Sequence, residues 1–408
     1  MKVSELSNTL IDTRAVGAQT GASLKVRELS NDLINTRAVG TQTGINMNLS
    51  KSIDFLLENA NPSIKRRVKS EILHNLTQEE ASEYQAQIVQ EPNIKRCFAS
   101  QLDNGWFGHG FHGMNKNAGQ FENQETCTKY LGEKAVDKGT PALKRSMEAF
   151  INIPLSDWCY RTKGYVPDEF KLAANGTNLY RCTCIARAGY ADIIDISPQI
   201  QLSIDSFRRV LEVDSILDVT RSIKSCKYFI FNDYEKWPCR YHLDMLAHTE
   251  SWKDESNKKI IADSVTKMMR TDRPELFNLG TVSWFHGHAV GTSGCFPSHG
   301  FSLKRTVKKT NMLYYHMEYI EWLARCGVVP MISALDDVVN DIIDSIDNDG
   351  ICKIPIEDSM FTGWGPYAGL QLEVDWKTKT RRDCDITFRA LLIAYYAGMM
   401  KESNVPNT

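Results

Sequence analysis

From residue 48 onward, apolar residues recur at three- to four-residue steps between one helix-start signal and the next, and that rhythm restricts what the chain can fold into. Ser50 stands at the head of a stretch through Leu56, Leu57 and Ala60, where it would serve as a cap. Thr77 with Glu80 forms a capping box that opens a helix toward Val89. Pro141 begins ALKRSMEAFI, a position where the missing N–H of proline costs nothing. Pro198 opens QIQLSIDSFRRVLE, Ser256 opens NKKIIADSVTKMMRT, and residues 312–326 and 333–346 continue the series. Residues 386–400 carry helix formers on every side and read as a buried helix. Strand alternation is nearly absent. The expectation is an all-α domain over residues 48–408, its loops rich in Gly and Trp.

The first 47 residues behave differently, because they say one thing twice. KVSELSNTLIDTRAVGAQTG, Lys2 to Gly21, returns as KVRELSNDLINTRAVGTQTG, Lys25 to Gly44. In each copy Val3, Leu6 and Leu10, or Val26, Leu29 and Leu33, would line one face of two short helical turns. A helix this short is marginal below about 12–15 residues and orders only against a groove. The tails, with Thr13, Arg14, Ala15, Val16 and Gly17 in one copy and Thr36, Arg37, Ala38, Val39 and Gly40 in the other, hold little that could be buried. The duplicated unit is therefore a candidate docking peptide or substrate, beside the plainer reading of a tandem duplication in a tolerant terminus. Neither copy holds a Cys, which excludes thioether cyclisation of the tails.

The remaining chain, about 360 residues, permits one large helical domain or two ordinary ones. A net charge of -2 speaks against a general binder of nucleic acid or of membrane surfaces. No run approaches the roughly 18–20 apolar residues of a membrane span, and no apolar signal core is present, so a cytoplasmic protein is expected. The 11 Cys are irregularly spaced and read as reduced, mostly buried residues.

The Gly- and Trp-rich loops carry a resemblance. KRCFASQLDNGWFG, Lys95 to Gly108, resembles the QW repeat of squalene cyclases and protein prenyltransferases, with Gln101, Asp103, Gly105 and Trp106 in place. The Gln amide can close a helix end while the indole packs against the next helix. SIDNDGICKIP, Ser345 to Pro355, resembles a degenerate copy, with Asp349 and Gly350 in place and Cys352 where the Trp would stand. NLYRCTCIARAGYAD, WPCRYHLDMLAHTESWKDESNK and DWKTKTRRDCDITFRALLIAYYAG extend the likeness over about residues 52–400, and the chain looks like a protein of the prenyltransferase and squalene-oxidase repeat superfamily. That resemblance implies a single α/α toroid, a ring of helical hairpins around a central cavity.

It also implies candidate chemistry. Asp383-Cys384-Asp385-Ile386-Thr387 resembles the DxDDT motif of class II terpene cyclases, in which the residue matching Asp385 is the acid that starts the reaction and Asp383 flanks it. The match departs at Ile386, where that family has another acid. The alternative is that Asp385, with Arg381 or Arg382, caps a helix starting near Thr387. Single-toroid relatives, the prenyltransferases and the lanthipeptide cyclases, bind an extended peptide beside zinc, so zinc or another divalent metal is considered. His109 and His112 in GHGFHG and His286 and His288 in WFHGHA are candidate ligands or bases, with Cys239 and His242 or Cys295 and His299 as weaker pairs. The last pair of the histidines is expected on one side of an extended segment. Asp336, Asp337, Asn340 and Asp341 allow a magnesium-site reading but fit the solvated side of a helix better. Walker, GxGxxG and GxSxG loops do not occur.

Three functions follow as expectations. One is an enzyme whose cavity, lined by Trp106, Trp284, Trp364, Tyr367 and Trp376, holds an apolar or isoprenoid-like small molecule, with Asp385 as acid. Another is a peptide-modifying enzyme for which the N-terminal repeats are docking or substrate units and His112 and His288 are catalytic. The third is a non-catalytic toroid that joins a protein partner through those repeats.

Overall fold

The computed structural model describes residues 48–108, 110–111, 121–153, 176–224, 226–232, 235–269, 281–285, 288–292, 313–361 and 371–400, with the backbone alone for 283–285, 288–292 and 313–315. Contacts divide the chain into Met1–Ile45 and Asn46–Thr408. Both N-terminal repeats, with their Thr13–Gly17 and Thr36–Gly40 tails, lie outside the described residues.

The second unit is mostly helical. Helix α1 covers residues 48–59 and is already formed two residues before Ser50, which sits inside it rather than capping it. α2, Pro62–Arg67, runs into a π-helical turn, Val68–Ile72. α3, Gln78–Ile88, starts on the expected Thr77/Glu80 capping box. α4 is Pro92–Ala99, α5 Gln124–Glu133 and α6 Pro141–Asn152, with Pro141 in its first turn. α7 is Thr177–Arg187 and α8 Ser197–Leu211. α9 is Arg240–Ala247, and α10, Glu255–Met268, is capped by Asp254, two residues before the expected Ser256. α11 is Leu313–Arg325, α12 Asp336–Asp344 and α13 Lys379–Tyr396. On α12, Val338, Val339, Ile342 and Ile343 are buried and Asp336, Asp337, Asn340 and Asp341 are exposed, so those acids form a solvated face.

Strands, which the alternation pattern missed, are present. β1, Thr220–Arg221, pairs antiparallel with β2, Phe229–Phe231; β2 pairs parallel with β3, Thr281–Phe285; and β3 pairs antiparallel with β4, His288–Thr292. These strands are 2–5 residues long, too short for a period of two to register, though TVSWF is rich in strand-favouring residues.

Helix packing follows a regular order: α5 touches α7, α7 touches α9, α9 touches α11 and α11 touches α13. α2 meets both ends of that series, through Arg67 to Glu133 of α5 and through Asn61, its cap, to Leu372 and Glu373 just before α13. Four of these helices end alike. Ala135, Gly189, Gly327 and Gly398 have φ of +53°, +72°, +71° and +75°. After each, an N–H reaches back six residues inclusive, from Val136 to Leu131, Tyr190 to Ile185, Val328 to Leu323 and Met399 to Ala394. This is the left-handed helix termination that glycine favours, and Ala135 adopts it without glycine.

The two loops expected to match do so atom by atom. Gly105 N–H bonds to the Leu102 carbonyl, Leu102 N–H to the Trp106 carbonyl and Gly108 N–H to the Ser100 carbonyl; Gly350, Asp347 and Lys353 repeat this with Asp347, Ile351 and Ser345. Gly105 and Gly350, at φ +86° and +80°, stand in register. Ile351 therefore occupies the Trp106 position, and Cys352 matches Phe107, one residue off the expected alignment. Gln101 donates to the carbonyls of Gly105 and of Ala142 in α6, at 2.9 and 2.7 Å, and Trp106 packs on Phe150 of α6 at 5.7 Å between rings. A Cβ on Gly105 would strike the Arg145 backbone of α6, and one on Gly350 the Lys51–Ser52 backbone of α1. The loop after α4 is thus held against α6, and the loop after α12 against α1.

Candidate active site: a buried charge network and an acid clamp

Charged side chains from α2, α5, α7, α9, α11 and α13 meet in the interior. Arg187 of α7 reaches Glu133 at 2.8 Å, Asp244 at 2.7 Å and Glu318 at 3.1 Å. Glu318 also takes Arg240 at 2.8 Å. Arg389 of α13 bridges Glu133 and Glu321 at 2.6 and 2.9 Å. Arg325 meets Glu321 and Glu71, each at 2.8 Å, and the Tyr396 hydroxyl at 2.9 Å. Arg67 closes the circuit between Glu71 and Glu133. Glu133, Arg187, Arg325 and Tyr396 each stand two residues before a left-handed helix end, so the repeated termination delivers one network member per helix.

Toward the first turns of α5 and α9 the network changes character. The Tyr241 hydroxyl donates to Glu125 at 2.6 Å. Lys129 lies 3.8 Å from the same carboxylate, 3.0 Å from Asp244 and 5.1 Å from the centre of the Tyr241 ring. Tyr180 packs on Tyr241 with ring centres 4.4 Å apart and planes tilted by 51°. A phenol held between a carboxylate and an ammonium can give up or recover a proton with little rearrangement.

Taken together, six cations, Arg67, Lys129, Arg187, Arg240, Arg325 and Arg389, face six carboxylates, Glu71, Glu125, Glu133, Asp244, Glu318 and Glu321. Burial alone would raise the carboxyl pKa values. The guanidinium charges override it and hold Glu71, Glu133, Asp244 and Glu321 below the carboxylate range. Charge balance and full pairing are what make such burial tolerable.

The DxDDT-like segment sits elsewhere. α13 starts at Lys379 with Thr378 as its cap, so Asp385 lies in the second turn, and the helix start expected near Thr387 is corrected. The Asp385 carboxylate is 1% exposed and accepts from Leu372 N–H at 2.7 Å, Glu373 N–H at 3.1–3.2 Å and the Trp376 indole at 2.6 Å. Burial pushes its pKa up to about 6, against the pull of those N–H donors. Glu373, buried and beside Asp385, is pushed up to about 7, and accepts Asn61 N–H at 2.9 Å. Lys134 fixes the Leu372 carbonyl at 2.6 Å and pairs with Glu91 at 2.6 Å. Asp383 faces the other way, to Lys379 at 2.5 Å. Asp385 therefore clamps residues 371–376 onto α13, and its oxygens are occupied by N–H groups.

The remaining sequence candidates scatter. Trp106 packs on Phe111 and Phe150, and Trp376 on Phe361 while its N–H serves Asp385. Trp364, Tyr367, His109, His112 and His286 lie outside the described residues, as do Cys295 and His299. Trp284 and His288 are described by backbone alone, in β3 and β4. Phe285 of β3 pairs with His288 of β4, while His286, and with it the expected His286/His288 pair, lies outside the described residues. Cys239 and His242 serve each other: the Cys239 N–H bonds to His242 Nδ1 at 2.9 Å, and burial lowers the imidazole to about 3. Among the described residues no group of three or more His, Cys, Asp or Glu is arranged to hold a metal ion. Cys182 and Cys184 are free and buried. No described helix is long and apolar enough to cross a membrane.

Sequence reasoning missed the network itself. Its signal was present in IARAG, Ile185–Gly189, and LARCG, Leu323–Gly327, which place Arg187 and Arg325 at matching positions. No protein family matches the chain, and no curated protein or solved structure matches it.

Proposed function

We propose that residues 48–400 form an α/α toroid with α2, α5, α7, α9, α11 and α13 as its inner ring, and that this ring works on a peptide. The serial contacts of those helices and the seating of the 345–353 loop on α1 support a closed ring. The charge network then ties the inner helices together. The observation that carries the functional reading is the Glu125–Tyr241–Lys129 group, a proton-transfer set at the first turns of α5 and α9. Tyr241 moves the proton, Glu125 exchanges it and Lys129 stabilises the phenolate.

A polar wall of this kind suits a hydrogen-bonding substrate better than an isoprenoid. The isoprenoid reading draws on Asp385, whose oxygens already take N–H groups. The repeated tails at 13–21 and 36–44 offer Thr, Arg and Gln and are the natural candidates, in cis or from another copy. In cis, a flexible tether gives roughly millimolar effective concentration.

Intact and tryptic mass spectrometry of the protein from its own cellular background tests this. A mass change confined to residues 13–21 or 36–44, present in the wild type and absent in Tyr241→Phe, is expected. Unmodified tails in the wild type, or the same change in Tyr241→Phe, would overturn it.

A further inference from the structure

At the start of α7 the structure leaves a set of buried donors without acceptors. Gly176, the N-cap, has no side chain to close the helix, and α7 is 11 residues long. Thr177, 2% exposed, holds a hydroxyl with no partner. Gln199, 1% exposed and in the first turn of α8, is pinned to this helix end by its Oε1, which accepts from Asn178 at 2.9 Å. That bond leaves the Gln199 Nε2 at the same place, also without a partner. Arg181, one turn on from Thr177 and so on the same face, has a buried Nε without a hydrogen-bond partner. Asp195, the acid before α8, is exposed and accepts the Ser197 N–H.

We propose that the N-terminus of α7, with Thr177, Gln199 and Arg181, is a binding site for an oxyanion, a phosphate monoester or a carboxylate. Helix N–H groups and the helix dipole favour negative charge there. An amide, a hydroxyl and a guanidinium complete a donor set containing no carboxylate. Leaving such groups unpaired in the interior is costly, which an anion would relieve. The site lies apart from the Glu125–Tyr241–Lys129 group in its residues, and stands whether or not that group is catalytic.

The test is thermal unfolding of the full chain in rising inorganic phosphate, and separately in acetate, at ionic strength held constant with chloride. Stabilisation by phosphate identifies a phosphate-type site, and by acetate alone a carboxylate-type site. Arg181→Gln should weaken the midpoint for the active anion about tenfold, the loss of one charge-assisted hydrogen bond. Gln199→Glu supplies a carboxylate of its own and should fold while losing the response altogether. No stabilisation beyond chloride in the wild type, or an unchanged response in both variants, would overturn the proposal.

Discussion

The charge network and the Asp385 clamp are both buried and both acidic, yet they treat their carboxylates in opposite ways. In the network each carboxylate meets a guanidinium or an ammonium, and the pKa values of Glu133 and Asp244 fall. In the clamp, Asp385 and Glu373 meet mainly N–H dipoles and each other, and their pKa values rise to about 6 and about 7. Full charges outweigh the burial penalty where dipoles only offset part of it. A DxDDT-like spelling therefore places an acid in the interior without deciding what it does there; its neighbours decide.

The difference can be broken most forcefully at Arg187. Arg187→Met takes from Glu133, Asp244 and Glu318 the one cation they share and leaves six buried carboxylates facing five cations, which should cost about 3–5 kcal/mol, read as a lowered midpoint in urea unfolding. Asp385→Asn turns an acceptor that serves several N–H groups into one that also presents a donor to them. A loss of about 2–3 kcal/mol is expected on the same measurement.

Titration sharpens the contrast further. The folded-state pKa values of Glu373 and Asp385 are raised, so their contribution is fully present below the unfolded values and is lost as pH climbs, from about 4 to about 6 for Asp385 and from about 4.5 to about 7 for Glu373. The network acids run the other way: their contribution holds above the unfolded carboxylate pKa and drains as pH falls below it toward the lowered folded values. Glu373→Gln should remove a decline on the order of 3 kcal/mol between pH 4.5 and 7 while leaving the acid-side loss intact. A wild-type and variant stability profile that stay parallel over that range would contradict the clamp's assignment. Tyr241→Phe deletes one neutral-to-charged hydrogen bond at the network's edge and should cost only about 1–2 kcal/mol.

What could be read from the sequence was what is local. Helix starts at Pro141 and at Thr77 with Glu80, the buried last helix and the solvated acids of α12 follow from propensity and period. The Gln101–Trp106 loop was legible because a Gln, a Gly and a Trp each had one physical task. Its partner at 345–353 was read one residue out of register, since Gly350 fixes the turn and Ile351 replaces the indole that would have marked the alignment. The network was invisible because its pairs join residues far apart in the chain, as Arg325 does with Glu71, 254 positions away. Asp385 was seen as buried and acidic, but the N–H groups that occupy it come from the preceding loop at 372–376, which has no pattern of its own.

The decisive measurement is tryptic mass spectrometry of the 13–21 and 36–44 tails in folded Asp385→Asn, with Tyr241→Phe beside it. If Asp385 is a clamp and proton transfer belongs to the Glu125–Tyr241–Lys129 group, the tails carry the wild-type mass change in Asp385→Asn and lack it in Tyr241→Phe. A change lost in Asp385→Asn and kept in Tyr241→Phe would return the chemistry to the DxDDT-like acid and contradict the account.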